Sequence, residues 1–528
     1  MSLLSLPFLY FAASLVFSIA SFVSKKDLYS WVVCSLLAPI FFFRALVTVK
    51  VGTSPRKLGN PYNGGRRLGW LERWYVAYSR AGIQTGFIIA MEFNNLDCPT
   101  KTTKDVKEAL TRVSQRFPWL RARLRRDGIN GVDSQNRLHQ PFQERATMWG
   151  DDLYVTVENE LEQPYDFREV SSTLKDVLEY EGKMRWHDED PTKPLWRVTM
   201  IRSHGSITLV LSFHHMIIDG IGSMAVVEAI LEEGSNAGTV HPSINDLPPP
   251  LEDFVDTTPT VKHLCMPFLL DRFPNLMPYL KSPHWQGIAH MENPKLSDRV
   301  PHMLCTNILP LLNVDKLKRY CNKNRVSINS VFVTTIAKAI FRVVVRDPRD
   351  AGHNRLNNRQ LRLTIQSAVD ERRRRVQLPR TVLGSYVSGA HVRINVGSDS
   401  HTAELAHLYQ DNLHRAIQTS IMDIGMTQFI SEDWIDFAKK NCKTEPNGIQ
   451  NSLDVSDLGI QHFSKHAWKL SNLWFAQGRI GMGSAIHVQM VGGPQGYNAV
   501  LSAFPCTVSK EMLSEIRDEW CQEIAILL

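Results

Sequence analysis

The chain alternates between stretches whose apolar residues recur every three or four positions and stretches where they recur every second position or run unbroken. TGFIIAMEF (Thr85–Phe93) predicts a strand, rich in Ile and Phe. DVKEALTRVSQRFPWLRARL (Asp105–Leu124) predicts a helix stopped at Phe117-Pro118 and followed by an extended segment. LWRVTMI and ITLVLSF predict two further strands, and the Ser-His-Gly-Ser between them predicts a hairpin. Gly220-Ile-Gly-Ser then opens a helix, MAVVEAILEE. Further on, NVDKLKRYCNKN predicts a helix with Asn313 as N-cap, and Ser327 caps a second, INSVFVTTIAKAIFRVV. LRLTIQSAVD (Leu361–Asp370) predicts a strand; AIHVQMV and AVLSAF, joined by Gly492-Gly-Pro-Gln-Gly, predict a hairpin. EMLSEIRDEWCQEIAILL closes the chain as an amphipathic helix.

These elements fall into two groups. Residues 66–234 form one α/β unit and residues 301–528 a second. Between them, residues 235–300 hold LPPPLED, Met266-Pro, Phe273-Pro, Met277-Pro and Ser282-Pro, a proline density that breaks regular elements and predicts a long crossover. The expected architecture is α/β, two mixed layers side by side. Ahead of both lies a membrane device in residues 1–50. Leu3–Val23 is uncharged, and about 20 apolar residues suffice to span a bilayer. Leu28–Phe43 is a second apolar stretch, shorter and containing Pro39, which spans if Arg44 snorkels to the interface and otherwise lies in it. The stretch lacks the basic start of a signal peptide, and a second apolar segment follows at once. Lys50, Arg56, Lys57, Arg66 and Arg67 outnumber Lys25 and Lys26, which places the main body on the cytosolic side.

Composition narrows the classes. A hydrophobic fraction of 43% and a charged fraction of 21% over 528 residues belong to a globular protein with a large core. The net charge of +7 is dispersed, and its densest run, ERRRR (Glu371–Arg375), is too short for a nucleic-acid surface. The surplus suits an anionic, phosphate-bearing ligand or an acidic membrane. Eight scattered cysteines with no CxxC give no zinc or redox motif. With no glycosylation sequon, they favour a cytosolic face.

The chemistry concentrates at HHMIIDG (His214–Gly220), where an apolar strand ends. Four readings fit. The pair could be structural. It could ligate a metal with Asp219, which shares a face with His215 if the segment is helical, though no third ligand stands out. GxGxxA could hold a dinucleotide, though six residues separate Gly220 from the strand and no acidic residue follows at the right distance. Or one imidazole, desolvated at the strand end and so neutral, could act as a general base, with Asp219 anchoring the loop and Gly220 permitting the bend into the helix.

HHMIIDG resembles the HHxxxDG signature of the CoA-dependent acyltransferase superfamily, which includes chloramphenicol acetyltransferase, the plant BAHD enzymes, condensation domains and wax ester synthases. VKEALTRVSQRFPWLRARL, PLWRVTMI, VSINSVFVTTIAKAIFRVV and SAVDERRR followed by LGSYVSG are similar to elements those families carry in the same order. LERWYVAYSRAG and SLDVSDLGI (Ser452–Ile460) bring the likeness closest to the fungal alcohol O-acetyltransferase family. It covers Arg66 to the C-terminus. The DFGWG motif of BAHD enzymes is absent, and Phe213 and the lack of an FPEG box exclude the glycerolipid acyltransferase pattern.

The resemblance implies two chloramphenicol-acetyltransferase-like mixed-sheet subdomains with a channel between them. It implies His215 as general base for direct transfer from acetyl-CoA or another acyl-CoA to the hydroxyl of a small-molecule acceptor. Asp219 faces away and pairs with an arginine, Arg372 by its position; His214 and Gly220 support the loop. Ser385 and Tyr386 are candidates for the oxyanion or CoA, and Ser456 and Gly459 resemble a turn near the thioester, or else form an ordinary surface turn. No bound cofactor, metal or nucleic acid is expected, and the endoplasmic reticulum membrane is the expected location. A long-chain lipid or wax ester acyltransferase and an inactive binding module of the same fold are the alternatives.

Overall fold

A computed structural model describes residues 65–528 apart from 85, 95–101, 127–148, 151–152, 159–163, 204–205, 235–245, 262, 264–283, 288–299, 348–359, 431, 444–447, 465–467 and 479–482. The expected membrane segments and most of the proline-rich crossover lie outside the described residues. The chain divides into two compact units, one of Met1–Ser54 with Thr258–Met277 and one of Pro55–Thr257 with Pro278–Leu528. Every element below belongs to the second.

In chain order these elements are β1 (Gly65–Arg67), α1 (Trp70–Arg80), β2 (Phe87–Asn94), α2 (Thr103–Arg116), β3 (Ala122–Arg126), β4 (Leu153–Val157), β5 (Asp166–Val170), α3 (Leu174–Lys183), β6 (Trp196–Ser203), β7 (Ser206–Phe213) and α4 (Gly220–Glu233). After the crossover come β8 (His302–Pro310), α5 (Leu311–Asn324), α6 (Ile328–Arg346), β9 (Gln360–Asp370), β10 (Val387–Gly397), α7 (Thr402–Met426), α8 (Trp434–Asn441), β11 (Ile449–Ile460), β12 (Asn472–Gln477), β13 (Gly483–Gly493), β14 (Gly496–Ala503) and α9 (Lys510–Ile526). The helix starts follow their caps. Thr102 and Asp105 form a reciprocal box on α2, and the hydroxyls of Ser327 and Ser509 accept from Ser330 N and Met512 N at the starts of α6 and α9.

Three sheets result: β1-β4-β3; a five-stranded sheet β12-β2-β7-β6-β5; and a six-stranded sheet β10-β9-β11-β13-β14-β8. Both larger sheets are mixed. β5 runs parallel to β6, and β11 runs parallel to both β9 and β13. β12 comes from the second half of the chain yet pairs antiparallel with β2, Asn472 opposite Glu92 and Gln477 opposite Phe87. The two halves are therefore joined by strand exchange as well as by apposition.

Each large sheet covers one face with its own helices. On the five-stranded sheet Ile89, Met91, Leu209 and Leu211 pack against Val113 of α2 and Val226 and Ile230 of α4. On the six-stranded sheet Ile365, Leu453, Val455, Ile486 and Val488 pack against α6 and α9, where Trp520 Nε1 donates to Thr335 Oγ1 at 3.0 Å. The opposite faces meet. Ile88, Ala90 and Val210 of the first sheet pack against Met303 and Val500 of the second, with Ala476 of β12. Because strand side chains alternate, the residues sharing the face of Val500 look toward the first sheet. Among the described residues α6 alone is long and apolar enough to cross a membrane, but it is mostly buried as the core helix of the second half.

Two local expectations change. Asn313 is not an N-cap: α5 begins at Leu311 after Pro310, so Asn313 lies in its first turn. The reason is β8, whose pairing with β14 continues to Pro310 opposite Gly496; Leu311 N then donates to Gln495 O at 3.0 Å, and the helix starts at once. Ser456–Gly459 is not a surface turn but the end of β11, with the register against β13 shifting between Asp457 and Ile460. Gly459 sits at φ +72°, and its N–H donates to Asp457 Oδ1 at 2.8 Å, closing a β-bulge.

Candidate active site

The residues of HHMIIDG separate by what each must do. β7 is buried along nearly its whole length, and its last residue, Phe213, pairs with Phe87 and Trp196 on either side. The chain then leaves the sheet in a turn. Met216, Ile217 and Ile218 are fully buried and nail that turn to the core. His215 and Asp219 are thus not one helical turn apart on a common face. Instead Asp219 caps α4, its Oδ1 accepting from Gly222 N at 2.9 Å.

That cap answers the dinucleotide reading. The N–H groups that a dinucleotide phosphate would need at this helix start face the Asp219 carboxylate, and a Cβ on Gly222 would stand 3.2 Å from Arg372 Nη2. No group of three His, Cys, Asp or Glu side chains is placed to hold a metal among the described residues.

Asp219 also ties the two halves together. Its Oδ2 accepts from Tyr386 N at 2.8 Å and from Arg372 Nη1. Arg372 is fully buried and spends its remaining donors on the carbonyls of Val382 (Nε 3.3 Å, Nη2 3.0 Å) and Gly384 (Nη2 3.0 Å). A planar guanidinium can serve all these acceptors at once, which an ammonium could not. Ser385 Oγ donates to the carbonyl of His215, and Tyr386 Oη donates to Pro249 O at 2.8 Å. In this structure the Ser385 and Tyr386 donors therefore brace the histidine loop. Gly220 is needed for contact. A Cβ there would lie 2.6 Å from Leu458 Cδ2, so the bulged end of β11 rests directly on the start of α4. Ser456 is half-buried on β11, opposite Gln489 of β13.

The two histidines differ sharply. His214 is buried and fully satisfied: Nδ1 accepts from Met216 N at 3.1 Å, so Nε2 carries the proton toward Asp188 Oδ2 at 3.2 Å. Asp188 in turn accepts from Arg80 Nε at 2.9 Å. Burial alone would raise the Asp188 carboxyl, but His214 and Arg80 outweigh it and hold the pKa below its ordinary value.

His215 has no such partners. Its Nδ1 is buried and unbonded. Tyr75 of α1 stacks on the ring face to face, centroids 4.1 Å apart and planes 5° apart, and Phe87 of β2 meets its edge at 5.1 Å. Burial drives the pKa of His215 down to about 4, against smaller upward pulls from backbone hydrogen bonding at His215 and Ile218 and from Asp219. The ring is an uncharged base, fixed in plane by aromatic contacts from two elements. Sequence reasoning did not find Tyr75 or Asp188; WYVAYSRAG and WHDED show an aromatic and an acid, but only the fold brings them to the histidines.

This fold, with mixed sheets from two halves and a histidine pair leaving the central strand between them, is that of the condensation-type acyltransferases. Solved structures agree. The cyclization–docking bidomain EpoB from Sorangium cellulosum matches with a TM-score of 0.56 at 12% identity, over 95% of this chain and 93% of that one. The condensation domain of the monacolin K polyketide synthase gives 0.53 at 11%, over 88% and 97%. The epimerization domain from the third module of tyrocidine synthetase B gives 0.51 at 10%, over 89% and 98%. A search of curated proteins finds no match. The alcohol acetyltransferase family model matches residues 154–523, and the chain belongs to that family of acyltransferases.

Proposed function

We propose that the protein is a membrane-anchored O-acyltransferase that moves an acetyl or other acyl group from acyl-CoA directly to an alcohol, with His215 as general base. The observation that carries this reading is the uncharged His215 ring, its Nδ1 unbonded, stacked on Tyr75 at the loop where Asp219 and Arg372 bind the two halves together. The acceptor hydroxyl gives its proton to the imidazole as its oxygen forms the new C–O bond to the thioester carbon. The C–S bond breaks, and the imidazolium returns the proton to the departing thiolate. No acyl-enzyme forms.

Burial makes His215 a weak base at rest, since its pKa lies near 4. Concerted transfer suits such a base, because the hydroxyl proton becomes strongly acidic as the C–O bond develops. Asp219 does not touch the reacting atoms in this scheme. It holds the loop so that the ring faces the space between the sheets, where a channel would admit CoA from one side and acceptor from the other.

Leu3–Val23 and Leu28–Phe43 would fix the enzyme to the endoplasmic reticulum membrane with its catalytic body in the cytosol. The test is thiol release from acetyl-CoA by the purified full chain with a mixture of alcohols, against His215→Ala. Acceptor-dependent release that the variant abolishes is the expected result; equal release by both proteins overturns the reading. Donors of increasing chain length in the same assay separate acetyl transfer from long-chain ester synthesis.

A further inference from the structure

The six-stranded sheet carries polar residues on its inner face that the mechanism above does not use. In β11 the sequence Leu453-Asp454-Val455-Ser456 and in β13 the sequence Ile486-His487-Val488-Gln489 alternate strictly. Leu453, Val455, Ile486 and Val488 belong to the core under α6 and α9, so Asp454, Ser456, His487 and Gln489 point the other way. That way lies the first sheet, because Val500, opposite Gln489 in β14, packs against Ile88, Ala90 and Val210.

The register lines four of these residues up. Gln366 of β9 stands opposite Asp454, Asp454 opposite His487, and His487 opposite Ser502 of β14. Strands lie ~4.8 Å apart, so the four side chains form one row across four adjacent strands.

A polar row inside a sheet is costly unless it is bonded. Gln366 is bonded, its Oε1 accepting from Asn451 Nδ2 at 3.1 Å, but the histidine is not. His487 is 3% exposed, and neither ring nitrogen has a partner. Oε1 of Gln489, on the same strand and the same face, is buried and unbonded as well. Burial lowers the pKa of His487 to about 4 and raises that of Asp454 to about 7, and no charge or hydrogen bond moderates the rise. The row therefore offers an uncharged imidazole beside a carboxyl that keeps its proton more readily than a free one.

It is also near the chemistry. Asp454 lies close enough for its charge to act on the phenol of Tyr75, the ring stacked on His215, and Leu458, further along the same strand, touches Gly220.

We propose that Gln366, Asp454, His487 and Ser502 bind a second, neutral oxygen function of the acceptor, a hydroxyl or carbonyl, so that the enzyme acts on oxygenated alcohols in preference to simple aliphatic ones. The row holds no cation, which disfavours the phosphates of CoA. The amides of the donor's pantetheine arm share the same neutral hydrogen-bonding chemistry and form the other arm of the test. The proposal rests on the acyl-transfer reading.

The experiment compares hexan-1-ol, hexane-1,2-diol and hexane-1,6-diol as acceptors for the full chain, reading thiol release from acetyl-CoA. A site built to bond an oxygen rejects the analogue lacking it, so at least one diol should exceed hexan-1-ol by roughly tenfold or more in kcat/KM. His487→Leu should bring that ratio to near one while leaving the KM for acetyl-CoA unchanged. His487→Gln, which can still donate and accept, should keep the preference, as should Asp454→Asn. Equal use of hexanol and both diols by the unaltered enzyme overturns the proposal. So does an unchanged ratio in a folded His487→Leu protein whose KM for acetyl-CoA rises, which assigns the row to the donor. Loss of diol preference in Asp454→Asn overturns the neutral character of the ligand. If no alcohol supports release above the His215→Ala background, the acyl-transfer reading fails by itself. Stabilisation of the protein against heat by a diol but not by hexanol, lost in His487→Leu, then still tests the row; absence of that stabilisation rejects it.

Discussion

The loop from His214 to Asp219 and the inner face of β11 and β13 both put polar side chains deep in the fold, and they treat them in opposite ways. In the loop nearly every polar group is satisfied. His214 spends both nitrogens, Asp219 receives three donors, and Arg372 spends its donors on a carboxylate and two carbonyls. The exception is Nδ1 of His215. On β13 the pattern inverts, and both nitrogens of His487 and Oε1 of Gln489 have no partner. A buried group that is bonded specifies structure, and one that is not costs stability that a water or a ligand can return. The contrast sets groups whose bonding builds the loop beside groups that, under the proposal above, are left for substrate.

The sharpest way to break that distinction is His215→Ala. Removing a general base costs about 10²–10⁴-fold in rate. Because Nδ1 holds no structural partner, the melting temperature of the variant should stay close to that of the parent. Turnover within tenfold of the parent, or a large loss of thermal stability, would place His215 with the structural residues.

Arg372→Ala should do the reverse. Removing one partner of a buried ion pair leaves an uncompensated charge, at a cost of about 3–5 kcal/mol. Here Asp219 would lose its counter-ion, and the carbonyls of Val382 and Gly384 would lose their donors. Denaturant unfolding should show the loss directly, and activity should fall only as far as the loop disorders. A variant that unfolds at the parent's denaturant midpoint would show that the pair is not what holds the loop.

His214→Ala lies between the two. It removes the donor to Asp188 and the acceptor of Met216 N, so about 1–3 kcal/mol of stability should go. The rate should drop less than in His215→Ala. A rate loss equal to that of His215→Ala, with both proteins equally stable, would erase the difference between the adjacent histidines.

How far the sequence reveals this depends on the kind of signal. The strands around the first site and the cap Ser327 act locally, through period-two runs and a hydroxyl that accepts from the third residue on, so they are legible. HHMIIDG marks itself because histidines at the end of an apolar strand are chemically out of place. The partners are not legible in the same way. Tyr75 lies 140 residues from His215 in the chain and reaches it only through the packing of α1. β12 sits in the second half by sequence but in the first half's sheet by pairing, because hydrogen bonding to β2 is decided by tertiary contact. The polar row did leave a mark, the strict alternation in LDVS and IHVQ. A central strand with both faces in protein ordinarily reads as an unbroken apolar run, so alternation there signals an interior face that is meant to stay polar.

The finest test is the pH dependence, since it asks for an absence of effect where an ordinary histidine would show one. A solvated imidazole titrates near 6.5, so by pH 6 only about a quarter of it would remain a base. Burial moves His215 to about 4, well below that range. With hexan-1-ol, which lacks the second oxygen that the Asp454 row would read, kcat/KM should therefore hold level from pH 8 to 6 and fall only below about pH 5. The sign for stability is the same. A histidine whose folded pKa is depressed stabilises the fold fully above the unfolded value near 6.5, and that contribution drains away as the pH drops from there toward 4. In His215→Ala this acid-side loss should shrink by the share of one imidazole, leaving that of His487. An activity limb centred near 6.5 would mean that His215 stands in water, and the division between bonded scaffold and unbonded reactive groups would fail at the residue that defines it.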